Sequence, residues 1–138
     1  MRIANPYLHF NGDCEEAFLF YKGIFGGEME ISRFTDVPPD NRFPEEESNK
    51  ILHVSLPLSE YSILMGSDIP DAFPKPNKGS NFFISLSVNS HKDADLIFYQ
   101  LAEGGQIAMP LDHTFWGAYF GMVIDPFGVQ WMISFDEK

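Results

Sequence analysis

Apolar and polar positions along the chain switch between a period of two and a period near 3.6, twice, in the same order. Tyr7–Phe10 is a short apolar run that predicts a strand. Asp13 followed by Glu16 is an Asp variant of the capping box and predicts a helix start. Cys14, Ala17, Phe18, Tyr21, Ile24 and Phe25 then fall on one helical face, and Gly26 supplies a left-handed stop. Strands are expected over about Glu28–Phe34, Ile51–Pro57 and Ser62–Gly66. The second half repeats the grammar. Phe82–Val88 predicts a strand, and Ser90 caps a helix with Ala94, Ile97, Phe98, Leu101 and Ala102 on one face and Gly104 at its end. Strands follow near Gln106–Met109, Ala118–Ile124 and Gln130–Ser134.

This is an internal repeat. At an offset of 78 residues Leu8 meets Leu86, Phe20-Tyr21 meets Phe98-Tyr99, and Gly26-Gly27 meets Gly104-Gly105, with no gap. The later strands align at 68, where Leu56 meets Ile124, Leu64 meets Met132 and Asp68 meets Asp136. The change of offset places ten extra residues in the first copy, within the proline-rich, acidic loop Thr35–Lys50. The chain is therefore expected to be one α+β domain, 1–138, of two tandem βαβββ modules, 1–68 and 80–138, joined by a linker over 69–79 with Pro70, Pro74 and Pro76. Curved mixed sheets around a cleft, lined from both modules, are the expected architecture.

Composition narrows the function. Hydrophobic residues make up 44% and aromatic residues 15% of the 138, which excludes a disordered chain. A net charge of −11 repels phosphate backbones and anionic lipid, so neither nucleic acid nor membrane is an expected partner. The lone Cys14 excludes a disulfide framework and a cysteine zinc cluster. No apolar h-region opens the sequence and no apolar run reaches the length of a membrane span, so a cytoplasmic location is expected. Dinucleotide, P-loop, zincin, CxxC and GxSxG motifs are missing.

Asn5-Pro6-Tyr7-Leu8-His9-Phe10-Asn11-Gly12, Glu15-Glu16-Ala17, Phe20-Tyr21 and Phe25-Gly26-Gly27 resemble the start of PhnB-like proteins. So do Asp112-His113-Thr114-Phe115-Trp116-Gly117, Phe120-Gly121 and Asp125-Pro126-Phe127-Gly128-Val129-Gln130-Trp131. These proteins belong to the vicinal oxygen chelate superfamily of glyoxalase I, extradiol dioxygenases and bleomycin-resistance proteins. The resemblance implies four metal ligands, two from each module's first and last strands. Carried over by motif, those positions hold Asn5, Leu64, Phe83 and Met132, and a slip of one residue gives Met65 and Phe82. Hard and borderline divalent cations need carboxylate or imidazole donors. A metal-free protein with no cofactor is therefore expected. The methyltransferase name often attached to the family finds no S-adenosylmethionine-binding glycine loop here.

Candidate ligand-binding residues are Tyr7, His9, His53, Phe83, His113, Phe115, Trp116 and Met132. His9 follows Asn5 at strand spacing and shares its face; it reads either as a ligand contact or as a hydrogen-bonded pocket residue. His53, in the apolar run Ile51–Leu56, reads as a buried, satisfied imidazole or a cleft contact. His113 reads equally as an anion contact or a solvated loop residue, and His91 as an exposed first-turn residue. Cys14 reads as a packed thiol, and Glu15-Glu16 as charges that favour the helix dipole. The aromatic cluster Phe115–Phe120 suits either a flat organic ligand or a homodimer interface. Three functions compete: a metal-free domain binding a small organic molecule, a metal-dependent lyase, isomerase or dioxygenase with an atypical site, and an interaction module with a vestigial cleft. A homodimer is expected.

Overall fold

The computed structural model describes residues 2–36 and 47–138. Most of the Thr35–Lys50 loop, with Glu45 and Glu46, lies outside the described residues. The chain divides into two compact units, Met1–Asn77 and Lys78–Lys138.

In the first unit the elements are β1 (Tyr7–Phe10), α1 (Cys14–Phe25), β2 (Glu30–Arg33), a 3₁₀ turn (Phe34–Asp36), β3 (Ile51–Pro57) and β4 (Ile63–Asp68). The sheet order is β1-β4-β3-β2, with β1 parallel to β4 and the other pairs antiparallel. The second unit holds β5 (Ile84–Ser87), α2 (His91–Ala102), β6 (Gln106–His113), β7 (Ala118–Ile124) and β8 (Gln130–Asp136), in the matching order β5-β8-β7-β6. Both sheets are thus four-stranded and mixed, and the tandem βαβββ expectation holds.

Each helix covers one face of its own sheet. Cys14, Ala17, Phe18 and Tyr21 of α1 are buried with Val54, Leu56 and Leu64. Ala94, Phe98 and Leu101 of α2 are buried with Val123, Trp131 and Ile133. Gly66 and Gly121 let the helices approach: a Cβ would lie 2.8 Å from Phe18 Cε1 at the first and 2.7 Å from Phe98 Cε1 at the second. Trp131 Nε1 donates to Asp125 Oδ2 at 2.9 Å, so the largest buried side chain keeps its polar atom satisfied.

Ser90 caps α2 as expected, its hydroxyl accepting Asp93 N–H at 3.0 Å. Asp13 makes no side-chain cap to α1. The cap comes instead from β4. Asp68 Oδ1 accepts Gly12 N–H at 2.8 Å and Cys14 N–H at 3.1 Å, and Oδ2 accepts Ile51 N–H at 2.9 Å. Burial, with Asp68 and Asp13 nearby, pushes the Cys14 thiol far up, so it is a packed, unreactive group.

The repeat register also differs from the string match. The helices begin at Cys14 and His91, 77 residues apart, while buried Cys14, Phe18 and Tyr21 match buried Ala94, Phe98 and Leu101 at an offset of 80. The Phe20-Tyr21 and Phe98-Tyr99 strings are therefore out of phase, and the second copy is one residue shorter between strand and helix. Among the last strands, Leu56 pairs with Leu64 as Val123 pairs with Trp131, an offset of 67. Met65, not Leu64, is the counterpart of Met132; Leu64 faces α1 and is fully buried. Alternation, rather than residue identity, decides the register.

Candidate functional site

On the first sheet, period-two alternation turns Leu8 and Phe10 toward α1 and leaves Tyr7 and His9 on the open face. The β1–β4 register sets Tyr7 beside Met65 and His9 beside Ser67. His53 reaches the same face from β3. The pairing of β2 with β3 shifts between Ser32 and Arg33, and β3 there reads buried, exposed, exposed, buried from Ile51 to Val54. The shift leaves Leu52 as the extra, exposed residue, while His53 is set on the open face by alternation with buried Val54 and Leu56, which corrects the buried-imidazole reading. The Tyr7 ring stands edge-on between the two imidazoles, with centroids 5.6 Å from His9 and 5.7 Å from His53. Asn5, two residues before Tyr7, accepts Ile63 N–H on Oδ1 at 3.1 Å and so ties the start of β4 to the segment before β1.

The predicted residues of the second unit separate into groups. Met132 lies between buried Trp131 and Ile133 and faces away from α2, opposite Met122 and Ser85. Phe83 immediately precedes β5 and is half-buried. Phe115 and Trp116 occupy the turn between β6 and β7, which closes through Thr114 Oγ1 donating to Ala118 O at 2.8 Å and through Gly117 at φ +91°. Phe115 is 98% exposed; its ring meets Trp116 at 5.1 Å, and Trp116 meets Phe120 at 5.9 Å.

His113 belongs to a different set. It pairs with Tyr119 across β6 and β7, their rings 5.2 Å apart. His113 Nδ1 lies 2.7 Å from Glu137 Oε2, and His91 Nε2 lies 2.6 Å from the same oxygen. His91, the first residue of α2, also packs edge-on against Tyr119 and Phe135, both at 4.9 Å. Tyr119 donates its hydroxyl to Asp95 Oδ1 at 2.6 Å, and that bond, with desolvation adding, pushes the phenol up to about 12. The hydrogen bond from His91, followed by that from His113, holds the Glu137 carboxyl below the usual range.

His91 is exposed as expected, yet it is partnered, and Glu137 was not singled out from the sequence. Their meeting follows from strand order. β5, β8 and β6 all run in one direction, since β5 is parallel to β8 and β7 is antiparallel to both β8 and β6. The ends of β6 and β8 and the helix start that follows β5 therefore gather at one end of the sheet. No spacing in the sequence signals this.

A shallow depression along α2 is lined by Lys92, Asp95, Leu96, Tyr99 and Gln100 of that helix and by Glu103, the residue after it. Among the described residues, no helix is long and apolar enough to cross a membrane.

Two four-stranded sheets of order 1-4-3-2, each with one helix, agree with the resemblance carried by the sequence. Residues 4–133 match the family model of the Glyoxalase/Bleomycin resistance protein/Dioxygenase superfamily, and the chain belongs to that superfamily. It is 31% identical to Protein YjdN of Escherichia coli (strain K12), over 94% of this chain and 92% of that protein. The crystal structure of protein PA1353 from Pseudomonas aeruginosa is 40% identical, with a TM-score of 0.87 and full coverage of both chains. A PhnB protein from Bacillus cereus, described as a putative 3-demethylubiquinone-9 3-methyltransferase, shares the fold at 24% identity and a TM-score of 0.72, over 97% of this chain and 99% of that one.

Proposed function

We propose that this superfamily member binds a small, flat, cationic organic molecule on the open face of its first sheet, with Tyr7 as the stacking surface and His9 and His53 as flanking hydrogen-bonding groups. The observation that carries this reading is the exposed Tyr7 ring held edge-on between two imidazoles on a regular strand face. Aromatic faces attract cations, by about 0.5–2 kcal/mol according to desolvation. The chain's −11 charge draws cations toward the whole molecule. Asn5, Leu64, Phe83 and Met132, or Met65 in place of Leu64, offer no carboxylate or imidazole, which supports a function without metal at the family positions. The protein acts by holding its ligand, in the cytoplasm, as a homodimer. Support for the dimer comes from edge strand β6, where Ile107 and Met109 are each 43% exposed.

Fluorescence titration with a planar acridinium dye tests the reading. Saturable binding to the wild type, weakened at least tenfold in Tyr7→Ala and measurably in His9→Ala at unchanged melting temperature, is the expected result. Equal affinity in wild type and Tyr7→Ala removes the site.

A further inference from the structure

We propose that His91, His113 and Glu137 form a divalent-cation site of zinc-type preference on the second unit, an inference independent of the organic-ligand reading. The donor set is two imidazole nitrogens and one carboxylate oxygen, and the three ligand atoms all lie within 4.8 Å of one another. That is a borderline set suited to zinc or cobalt, and poor for calcium or magnesium, which want oxygen.

Three features make it a built site rather than a chance contact. The donors come from three different elements: the first residue of α2, the last of β6 and the residue after β8. Each is fixed by something else. Glu137 donates its backbone N–H to Gly117 O at 2.9 Å. The His91 ring is wedged between Tyr119 and Phe135, the His113 ring rests on Tyr119, and Tyr119 is itself tethered to Asp95. Finally, both imidazoles direct a nitrogen at one and the same carboxylate oxygen. Lone pairs that converge in this way repel unless something positive lies between them. Two protons can fill that place, and so can one dication.

The present N···O separations of 2.6 and 2.7 Å are hydrogen-bond lengths. Metal bonds of about 2.0–2.1 Å in a tetrahedron need donor separations of about 3.3 Å. The Glu137 carboxylate must therefore swing back by several tenths of an ångström. The imidazole side chains are 52% and 66% exposed, so the fourth position opens to water or to a ligand's donor atom. Three protein donors with an open fourth position is the arrangement in which zinc acts on bound molecules. These residues lie outside the positions to which family resemblance carries metal ligands, so the expectation of a metal-free chain, which rested on those positions, does not bear on them.

Cobalt(II) and zinc(II) titrations of chelator-treated whole protein test the proposal. The wild type should take up one equivalent of zinc by calorimetry and develop the visible bands of tetrahedral cobalt. His91→Ala and His113→Ala should each weaken zinc at least tenfold and abolish those bands, and Glu137→Gln should weaken zinc in the same direction. His9→Ala and His53→Ala, which remove the imidazoles of the first unit, should leave uptake unchanged. Thermal melts of the same proteins, with His91→Gln as a second variant at that position, separate ligand loss from unfolding. No uptake by the wild type, or uptake that survives His91→Ala and His113→Ala, overturns the site.

Discussion

Asp68 accepts the backbone N–H of Cys14 at 3.1 Å, so the last strand of the first unit caps that unit's helix. The same carboxylate holds Gly12 and Ile51, joining the β1–α1 turn to β3 and β4 at one buried point.

Removing that carboxylate strands three backbone donors. Asp68→Ala should cost about 3 kcal/mol or more, given that each buried unsatisfied donor costs about 1–3 kcal/mol. Urea unfolding measures it, and a variant with an unchanged midpoint would falsify the capping role.

The two glycines under the helices set a contrast with a third. Gly66→Ala places a methyl 2.8 Å from Phe18 Cε1 and 2.9 Å from Leu8 O, and should destabilise by about 1–3 kcal/mol. Gly23→Ala, in α1 with nothing within 4 Å of its Cβ, should stabilise by about 1 kcal/mol. Thermal melts of both variants decide it; shifts of equal sign contradict this packing.

Glu15 and Arg33 join α1 to β2 by two parallel bonds of 3.0 and 2.7 Å. Hydrogen bonding to Arg33 lowers the Glu15 carboxyl, against a smaller opposing effect of burial. A lowered folded-state value means a stabilising contribution that is complete above the ordinary glutamate range and is lost as pH falls through the lowered value. In a carboxyl NMR titration Glu15 should titrate below the ordinary glutamate range. In Arg33→Ala its midpoint should move up, and a midpoint that stays put contradicts the pairing.

Much of this was legible in the sequence, and the failures have a common cause. β3 and β7 match their expected spans, Ile51–Pro57 and Ala118–Ile124, because turn residues bound clear apolar runs. Cap assignment at α1 failed because the acceptor, Asp68, is 54 residues from Cys14 and no local pattern encodes it. The aromatic strings misled the repeat alignment because identity was matched where burial phase decides. The buried alternative for His53 came from the apolar character of its neighbours, and alternation with buried Val54 and Leu56 puts it on the open face instead. Glu137 joins His91 and His113 only once strand order is known.

Assembly is open to a direct measurement. Sedimentation at micromolar protein should give a mass near twice 15.7 kDa, and Ile107→Lys with Met109→Lys should return it to that of one chain. A wild-type mass of one chain ends the dimer proposal.

The central claim is a ligand face built on Tyr7, His9 and His53. Two-dimensional amide NMR of the whole chain during titration with a planar aromatic cation tests it most directly. The account predicts saturable shifts concentrated on Tyr7–His9, His53–Ser55 and Met65–Ser67. Shifts confined to residues 78–138, or none at concentrations where the dye binds, would contradict it.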